Sequence, residues 1–460
     1  MRRFGMPKVN RSVGQTPLRI GEGAGYQGAW LQPAVDLATS GNLDYLTLEC
    51  LAERTVSLAN QERRDNPKEG YDPNLRRRLE ALLGPCLAAG TKIVTSMGAA
   101  NPASAGDVAV AIARDIGIER LRVAVVTGDD VLSVVKDGDY ELLDGGGDLA
   151  DIRDRVVSAN AYIGAGPVVG ALEAGADLVL TGRVADPSLH VAGMRHRFGW
   201  GESDWPELGA GTAVAHLLEC GPQVTGGYFA DPGFKEVPAL DNIGSPIAEV
   251  FPDGSAVITK LPESGGMVTK ATCIEQLLYE VHDPGNYITP DVIADFTGME
   301  MEEIAPDRVR VWGATGRPAT DSLKVSVGFL DGYVGEGQIS YAGAGCVNRA
   351  RLAGEIIERR LDAAGLQLDN VKVELIGLDA MFGGQRSAGN PEPAEVRLRV
   401  AGRSAHRDAA EAVGREVEGL WIAGPYGGTG ATRQVREVLS IASVLIPRGL
   451  VRPEFKILEA

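Results

Sequence analysis

The sequence predicts an α/β fold: an N-terminal parallel-sheet domain, Rossmann-like and doubly wound, then a β-rich α+β region, then a C-terminal mixed α/β segment. Three observations carry this. Short, continuously apolar runs alternate with helical stretches up to about residue 220, the pattern of βαβ units buried on both faces. From 221 to 345, Pro and Gly punctuate short alternating segments such as VTGGYFADPGFKEVP and AVITKLPESGGMVTK. Beyond 350, helical and strand patterns mix again. The expected domains are therefore 1–220, 221–346 and 347–460, the last packing with the first. A chain of 460 residues is about three times the usual single domain, which allows such a division.

Residues 19–28 (RIGEGAGYQG) supply a first strand and a glycine-rich turn. Residues 44–50 (DYLTLEC) read as a strand, followed by a helix beginning near LAERT. Residues 76–90 are helical, with Leu79, Leu82, Leu83, Cys86 and Leu87 spaced for one face. KIVTSMG (92–98) is a strand. The helix 104–117 has Ser104 as its expected N-cap and Gly117 as its stop. LRVAVVTG (121–128) and ADLVLTG (176–182) are strands flanking 159–175, which reads as a glycine-interrupted helix. In the last segment the pattern gives a helix at 347–364, strands at 371–377 and 396–401, a helix at 406–417, a strand LWIAG (420–424) and a final helix at 432–445.

Composition excludes several function classes. Hydrophobic residues at 44% and charged residues at 23% are ordinary for a globular chain. A net charge of −17 repels phosphate backbones and anionic lipid, so neither nucleic acid nor a membrane surface is an expected partner. No apolar run is long enough to span a bilayer, and the basic start MRRFGMPKVNRSVG is not followed by a signal-type apolar stretch. Five scattered cysteines give neither a disulfide framework nor a CxxC zinc site, so reduced thiols and a cytoplasmic location are expected. There is no HExxH, no His-x-His pair and no GxSxG elbow.

Ligands of parallel α/β sheets bind beyond the carboxyl ends of the strands, so the residues just after each strand are the candidates. TGRVADPSLH (181–190) gives the leading catalytic set. Asp186 is spaced to orient His190 as a general base, and Arg183 lies beside them to clamp a carboxylate or phosphate. A loop ion pair with a satisfied histidine is the plainer reading. ECLAERT (49–55) places Glu49 and Glu53 on one helical face with Arg54 between, either an acid/base pair or a helix-start ion pair. TSMGAANP (95–102) offers Gly98 N–H and Asn101 to a ligand, or forms a structural turn. VTGDDV (126–131) offers Asp129 and Asp130 to a divalent cation or ribose hydroxyls, or caps a helix. Gly23 and Gly25 in the first turn suit a phosphate or tight packing. Gly427, Gly428, Thr429 and Arg433 in GPYGGTGATRQ (424–434) suit an anion-binding strand–loop–helix start. PESGGMVTKATC to ITPDV (262–292) brings Lys270, Cys273, His282, Asp283 and Tyr287 near glycine-rich turns.

The ordered blocks GAGYQG, LDYLTLECLAERT, YDPNLRRRL, IVTSMGAANP, VTGDDV, NAYIGAGPVVGALEAGADLVLTGRVADPSL, LLECGPQVTGGYFADPG and GPYGGTG closely resemble the acyclic terpene utilisation (AtuA-like) family over nearly the whole chain. The resemblance implies a role in breaking down acyclic terpenes through branched acyl-CoA intermediates. It implies a lyase or hydrolase acting on a 3-hydroxy-3-methylglutaryl-CoA-like substrate of the isohexenylglutaryl-CoA type. It assigns no catalytic residue. Relatives carry a further ferredoxin-like domain, so a ferredoxin-like partner subunit is an expectation, as is a homo-oligomer. In such a cleavage Asp186 or His190 would be the base and Glu53 the acid, with Arg183 and loop N–H groups near Gly98 stabilising negative charge. The other expectations are a nucleotide-dependent enzyme and a non-catalytic acyl-CoA-binding subunit. No cofactor is fixed by the sequence; a CoA thioester as substrate and a divalent cation on the aspartates remain open.

Overall fold

The computed structural model describes residues 16–143, 145–383 and 391–460; the basic stretch 1–14 lies outside them. In chain order the strands are β1 (Leu18–Glu22), β2 (Tyr45–Leu48), β3 (Lys92–Thr95), β4 (Arg122–Thr127), β5 (Val156–Ala161), β6 (Leu178–Thr181), β7 (Pro246–Val250), β8 (Ala256–Lys260), β9 (Tyr287–Ile288), β10 (Ile293–Asp295), β11 (Glu300–Ala305), β12 (Arg308–Trp312), β13 (Thr315–Arg317), β14 (Ser322–Ala342), β15 (Asn370–Ile376), β16 (Glu395–Ser404), β17 (Thr429–Pro447) and β18 (Glu454–Glu459). The helices are α1 (Gln32–Ser40), α2 (Glu53–Asp65), α3 (Leu75–Ala89), α4 (Pro102–Asp115), α5 (Leu132–Asp137), α6 (Gly166–Glu173), α7 (Asp186–Phe198), α8 (Trp205–Glu219), α9 (Lys270–Leu278), α10 (Cys346–Ala363) and α11 (Arg407–Ala423). The chain divides into two compact units. One comprises the chain to Arg153, Val157–Val327 and Ile441–Ala460; the other comprises Asp154–Val156 and Gly328–Ser440.

The larger unit is built on a sheet ordered β11-β12-β8-β7-β1-β2-β3-β6-β4-β18. Its centre, β1 through β4 with β6 inserted between β3 and β4, is parallel; β7 and β18 pair antiparallel at its two sides. The sheet is therefore mixed, not purely parallel: β7, β8, β12 and β11 extend it from β1, while β13, β10 and β9 form a separate three-stranded antiparallel sheet. β2 shows why these strands read as continuous apolar runs. Leu46 and Leu48 pack with α1, α3 and α4 in one core, together with Leu37, Leu79, Leu82 and Ala109. Tyr45 points the opposite way, as side-chain alternation requires, and its hydroxyl meets His196 Nδ1 of α7 at 2.6 Å. Helices thus cover both faces, and the strand ends are left as the accessible edge.

The smaller unit has four strands ordered β15-β16-β14-β17, with β14–β16 and β15–β16 antiparallel. In chain order this is β-α-β-β-α-β with the first and third strands central, the split arrangement of ferredoxin-like folds. β16 alternates strictly: Val396, Leu398 and Val400 enter a core with Ile339, Ala350, Ile357, Val413 and Val417. Arg399 on its other face bridges Glu336 and Glu374. Gly335 of β14 is required here, because a Cβ would meet Ala410 O of α11 at 1.6 Å.

Several elements differ from the sequence expectation. Residues 159–161 close β5, and the helix starts only at Gly166. Asn101, not Ser104, caps α4: its side chain accepts from Ser104 N. LWIAG completes α11, because the buried series Ala410, Val413, Gly414, Val417, Leu420 keeps helical spacing up to it. Residues 432–445 lie in β17, not in a helix. Among the described residues no helix is long and apolar enough to cross a membrane. All five cysteines are free thiols.

Candidate active site

A cleft of about 890 Å³ in the larger unit opens at the carboxyl ends of β1, β2 and β6. Each strand delivers a polar group as it ends. Glu22 closes β1 but is wholly buried and not itself part of the lining, Glu49 follows β2 and Arg183 follows β6, while Glu53 and Asp186 open α2 and α7. Tyr162 after β5 and Lys324 early in β14 complete the floor, and Glu219 enters from the end of α8. Tyr26, Trp30, Ile243, Tyr228 and Tyr279 form its apolar and aromatic flanks; Trp30 is 51% and Tyr228 87% exposed.

Arg183 organises the floor. It is fully buried, Nη1 donates to Leu51 O and to Asp186 Oδ1 (2.6 Å), and its guanidinium lies 4.1 Å from the Tyr162 ring centroid. Tyr162 donates its hydroxyl to Glu53, and Lys324 Nζ lies 3.4 Å from the same carboxylate. Burial alone would push the Glu53 carboxyl up. Arg183, the Tyr162 hydroxyl and Lys324 outweigh that and hold it at about 2, so Glu53 is ionised at neutral pH. Glu49 is the opposite case. Burial first, then the Asp186 charge, raise its carboxyl well above the ordinary range, and neither Arg183 nor the Leu51 N–H offsets them. Its Oε1 accepts from Leu51 N (2.7 Å) and lies 3.4 Å from Ser96 Oγ at the end of β3. Two carboxyls in one cleft are thus driven apart, one toward a proton donor and one toward a permanent anion.

Of the residues singled out from sequence, Gly23, Gly25, Glu49, Glu53, Arg183 and Asp186 line this cleft. The others do not. His190 is wholly buried, with Nε2 3.1 Å from Glu22 Oε2, and is not among the residues that line the cleft. Asp129 is a buried support: it accepts from Asn160 Nδ2 and Arg183 N, both at 2.9 Å, and so fixes Arg183 from beneath. Asp130 accepts from Leu132 N and pairs with Arg63. Asn101 donates to Pro67 O and Glu69 O while capping α4. Gly98 leaves room for Thr181 O, 2.5 Å from where a Cβ would stand. Arg54 is exposed outside the cleft. Among the described residues no group of three or more His, Cys, Asp or Glu is arranged to hold a metal ion.

In the first glycine-rich turn the donors at Gly23, Ala24 and Gly25 are taken by the chain itself. Gly23 N donates to Thr47 O, and Ala24 N and Gly25 N donate to Glu22 Oε1, a carboxylate of the chain itself. Gly427, Gly428, Thr429 and Arg433 belong to the smaller unit. There a helix precedes the turn and a strand follows it, so no helix N-terminus faces the loop. From the 262–292 stretch, Lys270 opens α9, Cys273 is buried, and Asp283 accepts from Gly285 N and Asn286 Nδ2. His282 forms no part of the cleft lining.

Sequence reasoning missed Glu22, Tyr162, Glu219 and Lys324. Glu22 stood inside the glycine cluster, and its three backbone donors, Ala24, Gly25 and Glu49 N–H, tie the ends of β1 and β2 together. Glu219 carried a readable signal: with His216 it interrupts the otherwise apolar run AVAHLLEC.

No curated protein and no solved structure matches the chain. The sequence model of the acyclic terpene utilisation family protein AtuA matches residues 18–457, which spans both units. The chain belongs to the acyclic terpene utilisation family, AtuA.

Proposed function

We propose that the cleft is an acid/base active site of acyclic terpene utilisation that cleaves a branched 3-hydroxyacyl thioester. The observation that carries this reading is the pairing, on one floor, of a buried carboxyl raised well above its ordinary range (Glu49) with a carboxylate clamped by a buried guanidinium (Asp186 with Arg183). The aromatic flanks suit a branched hydrocarbon chain, and the polar floor suits its oxygenated head. Lys324, with about two-fifths of its side chain exposed, is the cation best able to meet a carboxylate or thioester carbonyl of the ligand.

In this reading Asp186 takes the proton of the ligand's 3-hydroxyl. The C2–C3 bond breaks, its electron pair passes to the thioester as an enolate, and C3 becomes a ketone carbon. Glu49 gives its proton to the enolate carbon, so the products are a ketone and a shorter thioester. Asp186 ends protonated and Glu49 ionised, and exchange with water resets both. Glu49 replaces Glu53 in the acid role because Glu53 is held ionised, and Asp186 replaces His190 because His190 is wholly buried and does not line the cleft. The first glycine turn, with its Gly23, Ala24 and Gly25 donors occupied, does not favour phosphate binding there.

Thermal-shift screening against branched CoA thioesters, ATP and NAD, followed by a co-crystal structure with any hit, tests this reading. Stabilisation by thioesters, with the acyl head between Asp186 and Glu49, is expected. Stabilisation by nucleotides alone would refute it.

A further inference from the structure

Glu219 and His216 lie one helical turn apart on α8, in a segment where every residue from Leu208 to Glu219 is buried. A carboxylate and an imidazole in such a helix are costly unless they serve each other or a ligand. They are in contact: His216 Nδ1 lies 2.6 Å from Glu219 Oε1. The His216 ring packs against both Tyr287 and Phe296, with centroids 5.2 and 5.9 Å away, and its backbone carbonyl accepts from Gln276 Nε2 at 3.1 Å. One oxygen of Glu219 is therefore fixed by a rigid histidine. The other, Oε2, is buried without a partner, and the side chain lines the cleft. An orphaned carboxylate oxygen on a cavity wall is an acceptor waiting for a donor that the chain does not supply.

We propose that Glu219 is a specificity-determining residue that accepts a hydrogen bond from an O–H or N–H group of the ligand, and that His216 is the positioning residue that aims it. The inference rests on the reading of the cleft given above. It adds the ligand feature that the site reads: a donor group, without which Glu219 Oε2 stays buried and unpaired. The groups facing the pair are Tyr287, Glu280, Cys220, Asp186 and His190. Burial disfavours charge on both partners, but the neighbouring carboxylate more than offsets this for His216, whose pKa is raised. Burial likewise raises the Glu219 carboxyl, against the lowering influence of His216, so the acceptor role assigned to Oε2 rests on geometry: Oε1 is taken up by His216 and Oε2 is left unpaired.

The test compares two probes by calorimetry, 3-hydroxy-3-methylglutaryl-CoA and its analogue lacking the hydroxyl, 3-methylglutaryl-CoA, with wild type, Glu219→Leu and His216→Gln. The wild type is expected to prefer the hydroxylated probe by ~100-fold, the scale of a hydrogen bond to a buried charged group. Glu219→Leu should reduce the preference to within ~3-fold by weakening only the hydroxylated probe. Leucine suits the apolar surroundings of this helix, so the variant is expected to fold, with melting and circular dichroism as the check. His216→Gln should keep Glu219 but reduce the preference by ~10-fold, whereas a purely structural histidine would shift melting and leave the preference intact. A preference that survives Glu219→Leu, the hydroxyl then being held by Asp186 alone, overturns this inference and leaves the acid/base reading standing; equal binding of the two probes to wild type overturns both. Binding of neither probe overturns both.

Discussion

Replacing Glu49 by Gln separates its chemistry from its packing. Glutamine has nearly the same shape, and its amide oxygen can still accept from Leu51 N and Ser96 Oγ, so near pH 4.5 the two proteins should melt within ~1 kcal/mol of each other. The difference should then move with pH. A carboxyl whose folded pKa is raised stabilises the fold fully only below its unfolded value, here 4.5, and that contribution is lost as pH climbs toward the folded value. The wild type loses about 1.4 kcal/mol for every tenfold by which the folded state holds the proton more tightly. The Gln variant has no such loss, so it should gain on wild type steadily from pH 4.5 upward. Turnover should behave oppositely. Loss of a general acid costs ~100- to 10,000-fold in kcat, a barrier increase of roughly 2.7–5.5 kcal/mol. Thermal melts of both proteins from pH 4.5 to 8.5 and cleavage of a branched 3-hydroxyacyl thioester are the assays. A melting difference independent of pH, or wild-type turnover in Glu49→Gln, would refute the assignment.

Two further perturbations probe the same floor. Arg183→Ala should cost about 3 kcal/mol in urea unfolding, the low end for breaking a buried pair, because Asp186 keeps some access to water while the Tyr162 stacking and the Leu51 bond are lost; unchanged stability would show that Arg183 does not organise the floor. Glu53→Gln should lower stability above pH 5. Glu53 is held down at about 2 against an ordinary 4.5, so its contribution is present above 4.5 and lost as pH falls through 2. The two melting curves should therefore converge in acid, and a gap that persists at pH 2 would contradict the ionised state.

The parallel core was legible because its strands are buried on both faces. Runs such as those of β2, β3, β4 and β6 leave no polar alternation to confuse them. β17 was not, because Val435, Val438, Leu439 and Ala442 fall at helical spacing amid Arg and Glu; its strand form is set by pairing in the sheet, a tertiary effect that local propensity does not carry. LWIAG failed the other way: its apolar run resembles a strand, but Leu420 belongs to the buried stripe of α11.

The rule that ligands gather at strand ends found Glu49, Glu53, Arg183 and Asp186. It did not separate cleft from support. Asp129 and Asn101 also follow strands, yet their side chains are consumed by Arg183 N and by the backbone of the 67–69 turn. Tyr162 does follow a strand, but was missed because residues 159–161 of β5 read as helix, and the rule does not see Lys324 and Glu219, which come to the floor from β14 and α8.

The central claim, that Asp186 and Glu49 cleave a ligand seated between them, is tested most directly by product analysis. Wild type and Asp186→Asn would each be incubated with a branched 3-hydroxyacyl-CoA thioester and the mixture resolved by mass spectrometry. The account predicts two fragments, a ketone and a shorter thioester, from wild type, and from Asp186→Asn at least ~100-fold less of both while the variant still binds the thioester. Equal fragment yield from the two proteins, or an intact thioester with both, would contradict it.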